Sequence, residues 1–321
     1  MNTLRLTRRR LALLAAGTLV TSAAFAQSGG SAKQEFRIGY QKAASLLVLQ
    51  KAQGSLEKKL TPLGFGVRWV EFPAGPQLLE GLNVGAIDIG FVGEAPPIFA
   101  QAAGARFYYV GFEPPAPKAE ALLVPKDSPI RSVADLKGRK VVLNKGSNVH
   151  YLLVKLLEKN GLKLSDITPI YLPPADARAA FESKNVDAWV VWDPFVAAAE
   201  KQIGARVLAD ATGVAQNYQF YLAERGFTQK HPQVIRAVFE DSVEKGRWLK
   251  ANLRQAADLI APLQGLSPEV AEASLRRYEF DVKPLTDDVI AQQQGIADTF
   301  AELRLIPRTI SVKEASWKAG Q

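Results

Sequence analysis

The chain has 321 residues, 47% hydrophobic and 22% charged, which suits about two globular domains. Its 40 Lys and Arg include four arginines in an acid-free N-terminal segment, so 36 bases face 32 acids elsewhere, or +4. That balance, interspersed along the chain, excludes the basic patch of a nucleic-acid binder, and the lack of cysteine excludes disulfides and a lipid anchor on a thiol.

The N-terminal segment reads as an export signal. Arg5, Arg8, Arg9 and Arg10 precede an apolar run over residues 11–20, and Ala24-Phe25-Ala26 is a small-x-small cleavage pattern. Cleavage is expected after Ala26, so residues 1–26 are signal and the mature protein is periplasmic. The three consecutive arginines leave both the general and the twin-arginine export routes open. Residues 27–34 are small and polar and are expected to form a flexible tail.

The mature chain alternates strands and helices, and it does so twice. FRIGYQKAASLLVLQKAQGSLEKKL reads as a strand, a polar loop and a helix. VRWVEFPAGPQLLEGLNVGAID repeats strand and helix and ends on Asp88. A fully apolar strand follows, then Glu94, then a helix opened by Pro96 and Pro97. About a hundred residues later KVVLNKGSNVHYLLVKLLEKNG matches the first unit. TPIYLPPADARAAFESKNVDA matches the second and reaches Asp187. Six residues after each aspartate stands another acid, Glu94 or Asp193.

Two such units imply two α/β lobes with parallel or mixed sheets flanked by helices. Proline-rich residues 112–140 provide one crossing between lobes, and residues 206–226 provide the return. Lobe 1 is expected over 35–118 and 214–321, and lobe 2 over 119–213. The helical remainder from about residue 227 is expected to pack on lobe 1. Ligands of open α/β sheets sit outside the carboxyl ends of the strands. The four loops that hold Gln41, Glu94, Gly146 and Asp193 all lie at such ends, around one inter-lobe cleft.

The residue types there suit an anion. Gly146-Ser147-Asn148 opens a helix, where free N–H groups and the helix dipole favour negative charge. Ala43-Ala44-Ser45 is its counterpart, although Ser45 and Ser147 would also serve as helix caps. Gln41 and Asn144 add neutral donors, and Lys42 and Lys145 are candidate cations. Glu94 and Asp193 admit three roles: helix caps, partners for a substrate amine, or an inter-lobe pair with a basic residue. Trp189 and Trp192 are expected to share one strand face, with Trp192 nearer the cleft. Tyr218 and Tyr221 face opposite ways, so one at most reaches a ligand. Arg276, Arg277 and Tyr278 read as a solvated helix face. An enzyme is disfavoured: His150 and His231 are the only histidines, and there is no nucleophile elbow, H-E-x-x-H pair or phosphate loop. No cofactor or metal is expected.

These stretches resemble the aliphatic-sulfonate-binding proteins of bacterial ABC importers, relatives of the taurine- and nitrate-binding proteins. The resemblance is carried by RIGYQKA, WVEFPAGPQLLEGLNVGAIDIG, PPIFAQAAGA, YVGFEPPAPKAEALLV, SPIRSVADLKGRKV, PADARAAFESKNVDAWVVWDPF and FYLA. It implies a type II periplasmic binding fold whose two lobes close on a small organosulfonate. A membrane permease and its ATPase would be the partners of a monomer. The implied ligand-binding residues are Gln41, Gly93, Glu94, Ala95, Gly146, Ser147, Asn148, Trp192, Asp193 and Tyr218. The family more often has Asp where Glu94 stands and often Ser where Asn148 stands. Taurine, nitrate and a pyrimidine thiamine precursor are the alternative ligands.

Overall fold

A computed structural model describes residues 33–317. The expected export signal and residues 27–32 lie outside the described residues. Gln34, expected in the polar tail, instead opens the first strand, where it pairs with Phe65.

The chain begins with β1 (Gln34–Tyr40), α1 (Ser45–Gln53), α2 (Ser55–Leu60), β2 (Phe65–Glu71), α3 (Gly75–Asn83), β3 (Ile89–Gly93), α4 (Ala95–Ala102) and β4 (Phe107–Glu113). A second set follows: β5 (Glu120–Val124), β6 (Lys140–Leu143), α5 (Asn148–Lys159), β7 (Thr168–Tyr171), α6 (Pro174–Glu182), β8 (Ala188–Trp192), α7 (Phe195–Ile203) and β9 (Arg206–Asp210). After β10 (Gln219–Glu224) the chain is helical: α8 (Arg225–Lys230), α9 (Pro232–Ala251), α10 (Leu253–Gln264), α11 (Pro268–Leu275) and α12 (Asp287–Glu302). Among the described residues no helix is long and apolar enough to cross a membrane.

Two five-stranded sheets result, ordered β2-β1-β3-β10-β4 and β7-β6-β8-β5-β9. In each, the first three strands are parallel and the fourth is antiparallel. That antiparallel strand, β10 or β5, is the one by which the chain enters from the other sheet. The two halves therefore repeat in topology as well as in sequence.

The matched aspartates account for part of the repeat. The Arg37 N–H donates to Asp88 Oδ2 at 2.8 Å, while the Asp88 N–H donates to the Arg37 carbonyl at 2.8 Å. Lys140 and Asp187 make the same reciprocal pair at 2.8 and 2.9 Å. Each aspartate clamps the start of its sheet's central parallel strand beside the next one. Register at these strands sets where their carboxyl ends point.

Apolar side chains cover both faces of both sheets. Phe36, Ile38 and Leu49 pack against α9 and α10 on one face of the first sheet, and Leu78, Val92 and Phe220 fill its other face. Leu122, Val141 and Leu153 fill one face of the second sheet, and Phe181, Trp189 and Val191 the other. The C-terminal helices do not all stay with the first sheet, as had been expected. Val270 of α11 packs on Ala197 and Ala198 of α7, beneath the second sheet.

After α11 the chain turns through residues 276–280, and α9 fixes that turn. Gly246 lies mid-helix in α9, and a Cβ there would sit 2.0 Å from the Phe280 carbonyl oxygen. On helix propensity alone, Gly246→Ala would stabilise by about 1 kcal/mol. The clash reverses the sign. Denaturant melts should show destabilisation by about 1–3 kcal/mol, the usual cost of overpacking. A more stable variant would mean that α9 does not hold the turn by close approach.

Candidate functional site

The carboxyl ends of β1, β3, β6 and β8 converge on one cavity between the sheets. Gln41, Ala43, Gly75, Phe91, Gly93 and Pro96 line it from the first half, and Ser147, Asn148 and Trp192 from the second. Asn217 and Gln219 of the return crossing and Tyr278 after α11 complete the wall. Among the ten expected residues, Gln41, Gly93, Ser147, Asn148 and Trp192 are therefore brought together at the cavity. Glu94, Ala95, Gly146, Asp193 and Tyr218 do not line it.

Four helices start at this cavity. Ala43 lies two residues before the start of α1, Gly75 opens α3, Gly93 and Pro96 flank the start of α4, and Ser147 precedes α5. None of the four carries a side-chain cap. Ser147 stands at the cap position of α5 without accepting from its first turn, and its hydroxyl donates to the Asn144 carbonyl at 2.7 Å. Gln41 is likewise engaged, donating from Nε2 to the Phe91 carbonyl at 3.0 Å. The Ser45 N–H donates to the Ala43 carbonyl at 2.8 Å and the His150 N–H to the Ser147 carbonyl at 3.0 Å, so the first-turn amides left as donors are those of Leu46 and Leu47 in α1 and of Asn148 and Val149 in α5.

α4 is different. Pro96 and Pro97 remove two of its N–H groups, and the Ala95 N–H donates to Asn148 Oδ1 at 3.3 Å. Asn148 Nδ2 in turn donates to Asn217 Oδ1 at 2.7 Å. Asn148 thus bridges from the second half to the first half and to the return crossing. Gly93 makes room for it: a Cβ there would come within 2.1 Å of the carboxamide. Asn217 is a buried hub with φ 55°, and its own amide donates to the Ala116 carbonyl at 2.8 Å.

The loop before α5 is held from behind. Gly146 has φ +74° and packs on the ring of Phe99. Its N–H donates to His150 Nδ1 at 3.3 Å. Burial, and then the charge of Lys145, push the His150 imidazole down to about 4, so it is neutral at physiological pH and acts as an acceptor. Lys145 itself extends over the Tyr171 ring, and neither it nor Lys42 lines the cavity. Among the described residues, no lysine, arginine or histidine lines it.

The tryptophans do not share a face. Residues three apart on a strand point in opposite directions. Trp189 is buried against Phe181, while Trp192 lines the cavity. Tyr221 points into the first half, where its hydroxyl donates to Glu113 at 2.7 Å. Tyr218 lines a separate groove with Tyr151 and Gln292. Asn217 and Gln219, one residue on either side of Tyr218, take the cavity positions expected of it.

The acids are fully buried behind the cavity wall. Glu94 neither caps α4 nor lines the cavity; its Oε2 accepts from the Tyr218 N–H at 2.8 Å. Burial pushes the Glu94 carboxyl up to about 7, against the lowering effect of the Tyr218 and Asn217 amides. Asp193 pairs with Arg277, a basic residue that follows α11. Its carboxylate accepts from Arg277 Nη1 at 2.9 and 3.1 Å and from the Ala197 N–H at 2.9 Å. Arg277 also bonds Glu200 of α7. Burial still raises Asp193 to about 6, with Arg277 opposing. Arg277 and Tyr278, read from sequence as a solvated face, are therefore a latch residue and a wall residue. The short turn after α11 broke the helical periodicity on which that reading relied. Gly75, next to Pro76 at a helix start, carried a readable signal; Asn217 and Tyr278 carried none.

The sequence profile of the NMT1-like family matches residues 29–262. The chain is 46% identical over 314 residues to the aliphatic sulfonates-binding protein of Escherichia coli, covering 98% of each. It is also similar to the solved structure of the alkanesulfonate-binding protein SsuA from Xanthomonas axonopodis pv. citri bound to MOPS. There the identity is 45% and the TM-score 0.85, over 88% of this chain and 98% of that one. For the periplasmic aliphatic sulphonate binding protein SsuA from Escherichia coli the identity is 47% and the TM-score 0.81, over 90% of this chain and 93% of that one.

Glu113 offers a test of how these buried acids are ionised. Burial pushes its carboxyl up to about 7, with the Tyr221 hydroxyl opposing. A carboxyl raised in the folded state contributes stability that is present below its ordinary range and lost as pH rises through its folded value. The melting temperature should therefore fall between pH 5 and pH 8. Glu113→Gln should match the parent at pH 5 and exceed it at pH 8, by on the order of 1–3 kcal/mol. Equal pH profiles for the two proteins would mean that Glu113 is ionised in the fold.

Proposed function

The chain belongs to the NMT1-like family, among the aliphatic-sulfonate-binding proteins, and from that premise we propose that it is the periplasmic substrate-binding component of an ABC importer for aliphatic sulfonates. It acts by binding and not by catalysis. After capture it presents the ligand to a membrane permease driven by an ATPase, and it works as a monomer. One observation carries the reading: uncapped helix N-termini converge on a cavity walled by neutral side chains.

A sulfonate is a permanent anion with three acceptor oxygens. Burying it without donors would cost several kcal/mol. The first-turn amides of α1 and α5 supply those donors, and their dipoles supply partial positive charge without a side-chain cation. Gln41, Gly93, Ser147, Asn148 and Gln219 shape the polar end. Phe91, Pro96, Trp192 and Tyr278 give the alkyl chain an apolar wall. The latch of Asp193, Arg277 and Glu200 and the Asn148 bridge hold the halves together around the ligand. Ligand then shifts the protein towards the closed state by contacts available only there.

Thermal-shift measurements on the mature protein test this reading. A short alkanesulfonate at a hundredfold excess over its Kd should add about 2.7 kcal/mol of stability. Gly146→Val forces a branched side chain into a left-handed backbone at the anion loop, and it should weaken binding about tenfold or more. Taurine, nitrate and sulfate serve as competitors. Stabilisation by nitrate or sulfate with none by sulfonates would overturn the substrate assignment.

A further inference from the structure

Glu94 and Glu120 are both fully buried, and they come from opposite halves of the molecule. Glu94 stands at the junction of β3 and α4. Glu120 is the first residue of β5, where the chain enters the second sheet. Among the described residues, three of their four carboxyl oxygens have no hydrogen-bond partner, Glu94 Oε1 and both oxygens of Glu120, and neither acid is in an ion pair. This sets them apart from Asp193, which has Arg277; the single partner of the pair is the Tyr218 N–H on Glu94 Oε2. An unpaired buried carboxylate is among the costliest groups a protein can hold, so burial favours the protonated form of each.

Both acids lie just behind the cavity wall. Gly93 and Pro96, on either side of the Glu94-Ala95 pair, line the cavity. Glu120 pairs across the sheet with Trp192, another wall residue. A bound anion would therefore add its negative charge close to both carboxyls. Such a charge favours their protonated forms, and by reciprocity a proton on the pair favours the anion. Closure acts in the same direction. Glu94 borders a groove shared with Tyr151 of α5, and α4 and α5 pack together across the halves. Separating them would let water reach the carboxyl.

We propose that Glu94 and Glu120 form a shared proton-binding site across the two halves, and that capture of an anion in the cavity loads it with a proton. This rests on the sulfonate reading and extends it: the protein takes up sulfonate and proton together, and affinity falls as the medium becomes alkaline. The direction agrees with the local electrostatics. Burial, and then the charge of Glu94, hold Glu120 well above the ordinary carboxylate range. The titratable groups facing the pair do not supply a cation. Tyr218 and Tyr151 face Glu94; Tyr278 faces Glu120, and all three phenols are raised by burial first. Tyr278 also faces Glu113 and the Asp193–Arg277 pair, whose charges are mutually engaged. A bound metal ion is a poorer fit than a proton. Among the described residues no group of three or more His, Cys, Asp or Glu is placed to hold one.

Isothermal titration calorimetry with 1-butanesulfonate tests the proposal, using phosphate and imidazole buffers because common zwitterionic buffers are themselves sulfonates. At pH 7 the binding heat should differ between the buffers by the uptake of a fraction of one proton per ligand. Affinity should fall between pH 6 and pH 8, at most about tenfold per unit, the slope for one linked proton. Glu94→Gln and Glu120→Gln each mimic the neutral carboxyl, and each should bind the probe with the buffer difference reduced or lost. Either variant suffices if the other fails to fold. Binding with equal heats in both buffers from pH 5.5 to pH 8 would overturn the proposal and leave the function intact. So would proton uptake that persists unchanged in both variants. An affinity that follows sodium at fixed pH would replace the proton by a metal cation. No binding heat for any sulfonate would overturn the functional reading, and this inference with it.

Discussion

Under the proposed function, enclosing a permanent anion between two lobes without a side-chain cation is the constraint on which the rest of this structure depends. Charge on the ligand has to be met by backbone dipoles, so several helices must start at one place with their first turns uncapped. Pro96 and Asn148 show the same economy from the other side. They withdraw the amides of α4, which lie nearest Glu94, and leave α1 and α5 as the donors. Each acid close to the cavity must then be cancelled. Asp193 is cancelled by Arg277, and the uncharged form is favoured for Glu94, Glu113 and Glu120 by burial. A formally acidic neighbourhood becomes compatible with an anion to the extent that these carboxyls are protonated.

The same contacts determine how the halves come together. The latch reaches from α11 to β8 and α7, and the Asn148 bridge reaches from α5 to α4 and Asn217. Both use buried polar groups, Asp193 and Asn148, whose partners come from segments distant in the chain. α11 adds an apolar contact on α7, which makes the C-terminal segment a third link beside the two crossings. Gly246, by admitting the Phe280 carbonyl, sets the turn that presents Arg277 and Tyr278. A close backbone approach far from the cavity thus governs two residues that shape it.

Much of this was legible in the sequence because it is local. Strand-loop-helix units, their duplication and the carboxyl-end loops follow from periodicity and turn residues within short windows. Asp88 and Asp187 were visible as a repeat, although their purpose as strand clamps needed the backbone geometry. Glu94 was visible as an anomaly, an acid at the end of an apolar strand. Its orientation away from the cavity was not, because that depends on the Tyr218 amide arriving from a crossing more than a hundred residues later. Arg277 and Tyr278 were misread because α11 ends just before them, and the partners of Arg277 lie some eighty residues earlier in the chain. The tryptophans were misassigned by a simple slip of strand period. Asn217 had no signal at all, since an asparagine between two strands is an ordinary loop residue until three segments converge on it.

The most direct measurement is a crystal structure of the mature protein with a short alkanesulfonate bound. The expected result is a sulfonate whose oxygens accept from first-turn amides of α1 and α5, with its alkyl chain against Trp192 and Tyr278 and no lysine or arginine within hydrogen-bond distance. A sulfonate held by a lysine or arginine side chain, or seated in the groove beside Tyr151 and Tyr218, would contradict the view that this anion is held by backbone dipoles alone.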